Sequence, residues 1–246
     1  MNKRKIAIFV EGQAELIFTR DLLSKWFQHD SNVIGFDCYN LRSNNFNYSP
    51  YKMGSMESEN YYMIVNVGND RSVLSKMISE APRLKNTGYQ TIIGLRDMFC
   101  DDYHKKVMNR TIHSEINEKF IAGTQETINH CENKELLHFH YAIMEVETWI
   151  LGMYQVLEKI NNKLTPAFIK KQLKVDLTTN DPENHIYHPA QCLDNIYGLV
   201  GEKYGKHEGD IARITAQLTR QNYKELLDSP NCSSFNKFTH DVLNLD

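Results

Sequence analysis

Three places in the chain set carboxylates directly after short apolar runs. Ile6-Ala7-Ile8-Phe9-Val10 leads into Glu11-Gly12-Gln13-Ala14-Glu15. Gln90 to Leu95 leads into Arg96-Asp97, with Asp101 and Asp102 close behind, and Leu136 to Met144 leads into Glu145-Val146-Glu147. Runs of this kind read as buried parallel strands. Parallel strands share one carboxyl edge, where open α/β sheets receive their ligands. Carboxylates gathered there raise one another's proton affinity unless a cation neutralises them. An oxygen donor set without paired His or Cys suits Mg²⁺ or Mn²⁺ rather than zinc. Such a centre activates water and stabilises the leaving oxygen of a phosphodiester. Helix capping is the competing explanation for each acid taken singly. It suits Glu15 and Glu147, which fall in first helical turns, and Asp101 and Asp102 read equally as loop residues. Glu11 and Asp97 resist it best, because each ends an apolar strand.

The elements that must position these groups alternate. After the first strand, Leu16, Ile17, Leu22, Leu23, Trp26 and Phe27 mark one helical stripe. Val33 to Leu41 reads as a strand, residues 42–60 as a polar surface excursion, and Tyr61 to Val67 as a strand. Ser72 to Leu84 and Ser114 to His130 read as helices, and a further helix runs from Thr148 to Ile160. Alternation at this spacing predicts a mostly parallel sheet flanked by helices, an α/β core over residues 1–160. A helical C-terminal region follows over residues 161–246, with helices at Pro166 to Leu173, Pro189 to Tyr204 and Asp210 to Leu218.

Composition narrows the classes. The 246 residues are 41% hydrophobic and 24% charged, ordinary for a globular chain with a sizeable core. A net charge of -3 gives no overall basic signature of a nucleic-acid binder. Five scattered cysteines form no CxxC pair, which points to a reducing cytoplasm rather than a disulfide framework. No apolar run reaches the length of a signal h-region or a membrane span. The chain carries no Walker Gly-x-x-x-x-Gly-Lys-Ser/Thr, so ATP hydrolysis would belong to a partner.

Other residues offer weaker signals. His138 and His140 alternate on one strand face, which favours packing or capping over a metal site. Lys206 reads from spacing alone as a solvated lysine in a polar turn. Beside a metal site it would stabilise transition-state charge on a phosphate. Tyr48, Tyr51, Tyr61 and Tyr62 either stack bases or serve core and partner contacts.

The motifs together resemble a known group. Phe9-Val10-Glu11-Gly12-Gln13-Ala14-Glu15 resembles the opening motif of Toprim-fold proteins, and Gly94-Leu95-Arg96-Asp97 stands where those proteins carry their acidic strand end. His140 to Trp149, with Glu145 and Glu147, is similar to the Glu-x-Glu-aromatic segment of small Toprim-like proteins from bacterial anti-phage defence operons. His188-Pro189, Tyr204-Gly205-Lys206 and Pro230 to Phe235 are similar to that group's C-terminal signature. The likeness extends distantly to overcoming-lysogenisation-defect nucleases and to the Toprim effector of PARIS-type systems. Phe99 stands where a Toprim Asp-x-Asp has its second acid, leaving Asp101 or Asp102 to supply it, or neither.

The resemblance implies a Mg²⁺- or Mn²⁺-dependent nuclease acting on DNA or RNA as a toxic defence effector. Glu11 and Asp97 would be principal ligands, with Glu15, Asp101, Glu145 and Glu147 supporting and Lys206 as charge stabiliser. It also implies control by an ABC-type ATPase encoded nearby, docking on the Asn44 to Tyr62 excursion or the helical region. A homodimer is compatible with it. The alternative from another class is a non-catalytic Toprim-like subunit that binds an ATPase and transmits a signal.

Overall fold

The computed structural model describes residues 3–43, 45–107 and 110–245, so Asn44 at the head of the expected docking excursion lies outside the described residues. In chain order the elements are β1 (Arg4–Val10), α1 (Gln13–Trp26), β2 (Ile34–Arg42), β3 (Asn45–Met53), β4 (Asn60–Asn66) and α2 (Val73–Asn86). There follow β5 (Thr91–Asp97), α3 (Asp101–His104), α4 (Ser114–Asn129), β6 (Leu137–Ala142), α5 (Glu147–Gly152) and α6 (Gln155–Ile160). The chain closes with α7 (Pro166–Leu173), α8 (Pro182–His185), α9 (Pro189–Gly198), α10 (Glu208–Gln217), α11 (Arg220–Leu227) and α12 (Ser233–Leu243). The fold is α/β, as the alternation predicts. Among the described residues, no helix is long and apolar enough to cross a membrane.

The strands form one six-stranded, mostly parallel sheet in the order β3-β2-β4-β1-β5-β6. Strand β1 pairs in parallel with β4 and β5, and β2 pairs in parallel with β4. Residues 42–60, expected to be a surface excursion, instead supply β3, which lies antiparallel on β2. As an edge strand it buries little beyond Ser49, so its sequence lacks the apolar alternation that would announce it. Pro50 is tolerated there because an edge strand need not donate every N–H. Tyr61 and Tyr62 are buried and donate their hydroxyls to Asp37 and the Val242 carbonyl, which makes them core residues.

The chain groups into two compact units. The first comprises Met1–Arg96, Glu118–Tyr141 and Phe238–Asp246. There Ala7 and Phe9 of β1 join Val73, Met77, Ala81 and Leu84 of α2 in one apolar cluster. Ile6, Ile8 and Val10 point to the opposite face and are equally buried, as the period of two requires. Gly94 of β5 is forced by close packing, since a Cβ there would meet the Phe139 ring of β6 at 2.5 Å. His138 Nδ1 and His140 Nε2 both pair with the Asp241 side chain, at 2.9 and 2.8 Å from Oδ2, which is neither a helix cap nor part of the acidic group.

The second unit comprises Asp97–Asn117 and Ala142–Lys237. Its core gathers Trp149 and Ile150 of α5, Leu193 and Ile196 of α9, Ile211 and Ile214 of α10, and Tyr223 of α11. The helix expected over Thr148 to Ile160 is broken at Met153-Tyr154 into α5 and α6. The indole of Trp149 donates to Ser234 Oγ at 2.8 Å, and Ser234 in turn is held by the buried Glu183 carboxylate at the start of α12.

Candidate metal centre

Within the second unit, two strand ends are locked side by side by the main chain. Met98 N–H donates to the Ala142 carbonyl at 3.0 Å, and Phe99 N–H donates to the Met144 carbonyl at 2.8 Å. Met144 is fully buried with φ of 66°, a left-handed conformation that costs a residue with a Cβ roughly 1 kcal/mol. That turn carries the chain from the end of β6 into Glu145. The Glu145 carbonyl and the Ile143 carbonyl accept from Thr148 N–H and Oγ1, starting α5 and placing Glu147 in its first turn.

The side chains converge as a result. One carboxylate oxygen from each of Asp97, Glu145 and Glu147 lies within 4.8 Å of the others, and all three residues are buried. Asp97 Oδ1 accepts the Val146 N–H at 3.1 Å, which ties the β5 acid to the β6 turn. Glu145 Oε2 accepts the Ala190 N–H at 2.8 Å, in the first turn of α9, with His188 Nδ1 3.3 Å away. Glu147 Oε1 accepts the Tyr204 hydroxyl at 2.8 Å. Glu147 Oε2 has no hydrogen-bond partner, although the residue is fully buried.

Lys206 stands among the three acids. Its Nζ lies 2.8 Å from Asp97 Oδ2, 3.2 Å from Glu145 Oε1 and 3.4 Å from Glu147 Oε2. The 3.4 Å approach is an ion pair by distance without hydrogen-bond geometry, which reconciles it with the unpartnered Oε2. Lys206 has φ of 56°, the second left-handed residue at the centre. The turn that holds it is pinned by Asp210, whose Oδ2 accepts from Gly205 N–H at 2.8 Å and His207 N–H at 3.3 Å.

Burial, opposed by Lys206, raises the Asp97 carboxyl above its ordinary range, and the Glu145 charge adds to the rise. Burial likewise lifts Glu147 to about 7, again against the pull of Lys206. Burial also raises the Tyr204 phenol, and the Glu147 charge adds to it, so this group remains a hydrogen-bond donor. Desolvated acids with raised proton affinity are stabilised in their charged form by a nearby cation. The donors are all oxygen, and the orphaned Glu147 Oε2 faces the group, so the residues fit Mg²⁺ or Mn²⁺.

Of the residues singled out from sequence, Asp97, Glu145, Glu147 and Lys206 come together here. Asp101 and Asp102 are exposed in the first turn of α3, outside the group of three, with Asp102 3.3 Å from Lys105. Glu11 and Glu15 belong to the first unit. Glu11 directly follows β1, and Glu15 Oε2 accepts the Gly12 N–H at 2.8 Å as part of the α1 cap. Phe99, at the Asp-x-Asp position, packs on the rings of His188 and His104 at 4.4 and 4.3 Å. Tyr204, the Glu147 partner, and His188, the neighbour of Glu145, fall in segments that resemble the defence group's C-terminal signature without a role assigned to either, and the clamp Asp210 carries no such signal. Their signs were local only: a tyrosine two residues before Lys206, a His-Pro helix start, and an acid three residues into α10. Comparison of the chain with family models, with curated proteins and with solved structures gives no match.

Proposed function

We propose that the protein is a Mg²⁺- or Mn²⁺-dependent nuclease whose cation is held by Asp97, Glu145 and Glu147. The observation that carries this reading is three buried carboxylates from two adjoining strand ends, one with an oxygen left without a hydrogen bond. A divalent ion at such a centre supplies a lowered water pKa and charge neutralisation at a phosphodiester. Val146 and Ala190 N–H groups orient Asp97 and Glu145, and Tyr204 orients Glu147, so the donors are fixed beforehand. Lys206 offers a positive charge to the phosphate. The carboxylates that carry this reading all lie in one unit, and Glu11 and Glu15 lie in the other. The likeness of the motifs to Toprim-like defence proteins supports nucleic acid as substrate. It also supports a toxic effector role under a partner ATPase of the ABC type.

A second reading has one observation in its favour. Lys206 already brings a positive charge to all three acids, as a structural ion cluster in a non-catalytic signalling subunit would. Incubating the purified chain with DNA and with structured RNA, in Mg²⁺, Mn²⁺ or chelator, separates the two. The nuclease reading predicts cleavage of at least one substrate with metal and none with chelator, abolished in Asp97→Asn. Metal-independent cleavage, or none by the wild type freed from its partner, contradicts it.

A further inference from the structure

The position of Lys206 raises a question that the metal-centre reading leaves open: an ammonium and a metal ion cannot both sit among the same three oxygens. We propose that Lys206 is a displaceable internal counter-ion, holding the three acids together until a divalent cation enters and then releasing its ammonium toward a substrate phosphate. This rests on the proposed metal centre and adds to it an anion-binding group that exists only in the loaded protein.

Four observations carry the inference. First, Nζ reaches one oxygen of each acid at 2.8, 3.2 and 3.4 Å, the place a cation shared by the three would take. Metal–oxygen bonds of about 2.0–2.2 Å would require the carboxylates to draw closer than they stand around the ammonium. Second, the fit is uneven. Asp97 is well served, but Glu147 Oε2 gets no hydrogen bond, whereas a permanent buried ion cluster must satisfy its members to offset their desolvation.

Third, only the lysine has a way out. Its side chain is 32% exposed, against 5%, 5% and 0% for Asp97, Glu145 and Glu147. Fourth, the main chain around it is fixed. Asp210 holds the Gly205 and His207 N–H groups, and Asp194 Oδ1 holds the Tyr204 N–H at 3.0 Å. A Cβ on Gly205 would meet the His207 ring at 2.8 Å, so the turn is tightly packed as well. Exchange is therefore a rotation of the lysine stem about a stationary backbone, and needs no loop opening.

The consequence is competition. The apparent affinity for metal is lowered by the fraction of molecules in which the ammonium holds the site. Titrating Mn²⁺ alone into the full chain and into Lys206→Met by calorimetry tests this, since methionine keeps the apolar stem without the charge. The variant should bind Mn²⁺ about ten-fold or more tightly than the wild type. Because the variant must fold with three unneutralised acids, a second measurement uses the wild type alone. Amine acylation read by peptide mass spectrometry should become several-fold faster at Lys206 on adding saturating Mn²⁺, with exposed Lys171 unchanged. Equal or weaker Mn²⁺ binding by the variant, or slower acylation of Lys206 in Mn²⁺, overturns the counter-ion role and leaves the metal centre standing. Absence of Mn²⁺ binding in both proteins overturns both.

Discussion

Tyr204 donates its hydroxyl to Glu147 Oε1 at 2.8 Å, and both side chains are buried. The bond fixes one oxygen of the acid and leaves the other 3.4 Å from Lys206 Nζ. A carboxylate so held is oriented before a cation arrives, and the donor favours its charged form.

Tyr204→Phe removes that donor and little else. Outer partners of metal ligands typically contribute about 10- to 100-fold in affinity. Calorimetry should show Mn²⁺ binding weakened within that range, with the ring packing of Tyr204 on Tyr197 retained. Unchanged affinity would show that Glu147 is oriented by other means.

The pH dependence of stability follows from Glu147. Its carboxyl is raised to about 7 from 4.5, so the folded, metal-free protein keeps a proton there that the unfolded chain has released. Stability from this group is present in full below the unfolded value and is lost as pH rises from about 4.5 to 7. Asp97, also raised, acts in the same direction, while Lys206 opposes both. Thermal unfolding in chelator should therefore show a melting temperature falling across this window by several degrees. Glu147→Gln should flatten the slope, and Mn²⁺ affinity should strengthen as pH rises through the same range. A slope that persists unchanged in the variant would place its origin elsewhere.

Glu15 separates capping from ligation. Its Oε2 accepts the Gly12 N–H at the start of α1. Loss of a helix cap costs about 1 kcal/mol, worth about 2–4 °C for a chain of this size. Glu15→Ala should melt lower by that amount, and Glu15→Gln, which keeps an acceptor oxygen, should recover most of it. Equal losses in the two variants would mean that the charge matters more than the cap.

Strand ends were legible because burial on both faces writes itself as an apolar run, and an acid that ends such a run stands out. Asp97 and Glu145 could be read this way, and Glu147 through its spacing from Glu145. Strand β3 could not, because an edge strand with alternating exposed Asn, Tyr and Lys has the composition of a loop. Helix α12 lies outside the helices expected in the C-terminal region, although Phe235, Phe238 and Val242 repeat at helical spacing and are fully buried. The break at Met153-Tyr154 is marked only by Gly152 before it, which a helix tolerates. Tyr204, His188 and Asp210 were illegible as site residues for a different reason. Tyr204 and His188 meet their partners tens of residues away, whereas Asp210 clamps a local turn whose place at the centre only tertiary structure sets.

The central claim is that Asp97, Glu145 and Glu147 hold a divalent cation. Its most direct test is a calorimetric titration of Mn²⁺ into the wild-type chain and into Asp97→Asn, both shown to be folded by circular dichroism. Saturable binding by the wild type, lost in Asp97→Asn or weakened there beyond the roughly 100-fold that an outer partner contributes, is the result expected when one of three ligands is removed. No binding by the wild type, or equal binding by the two proteins, would contradict it.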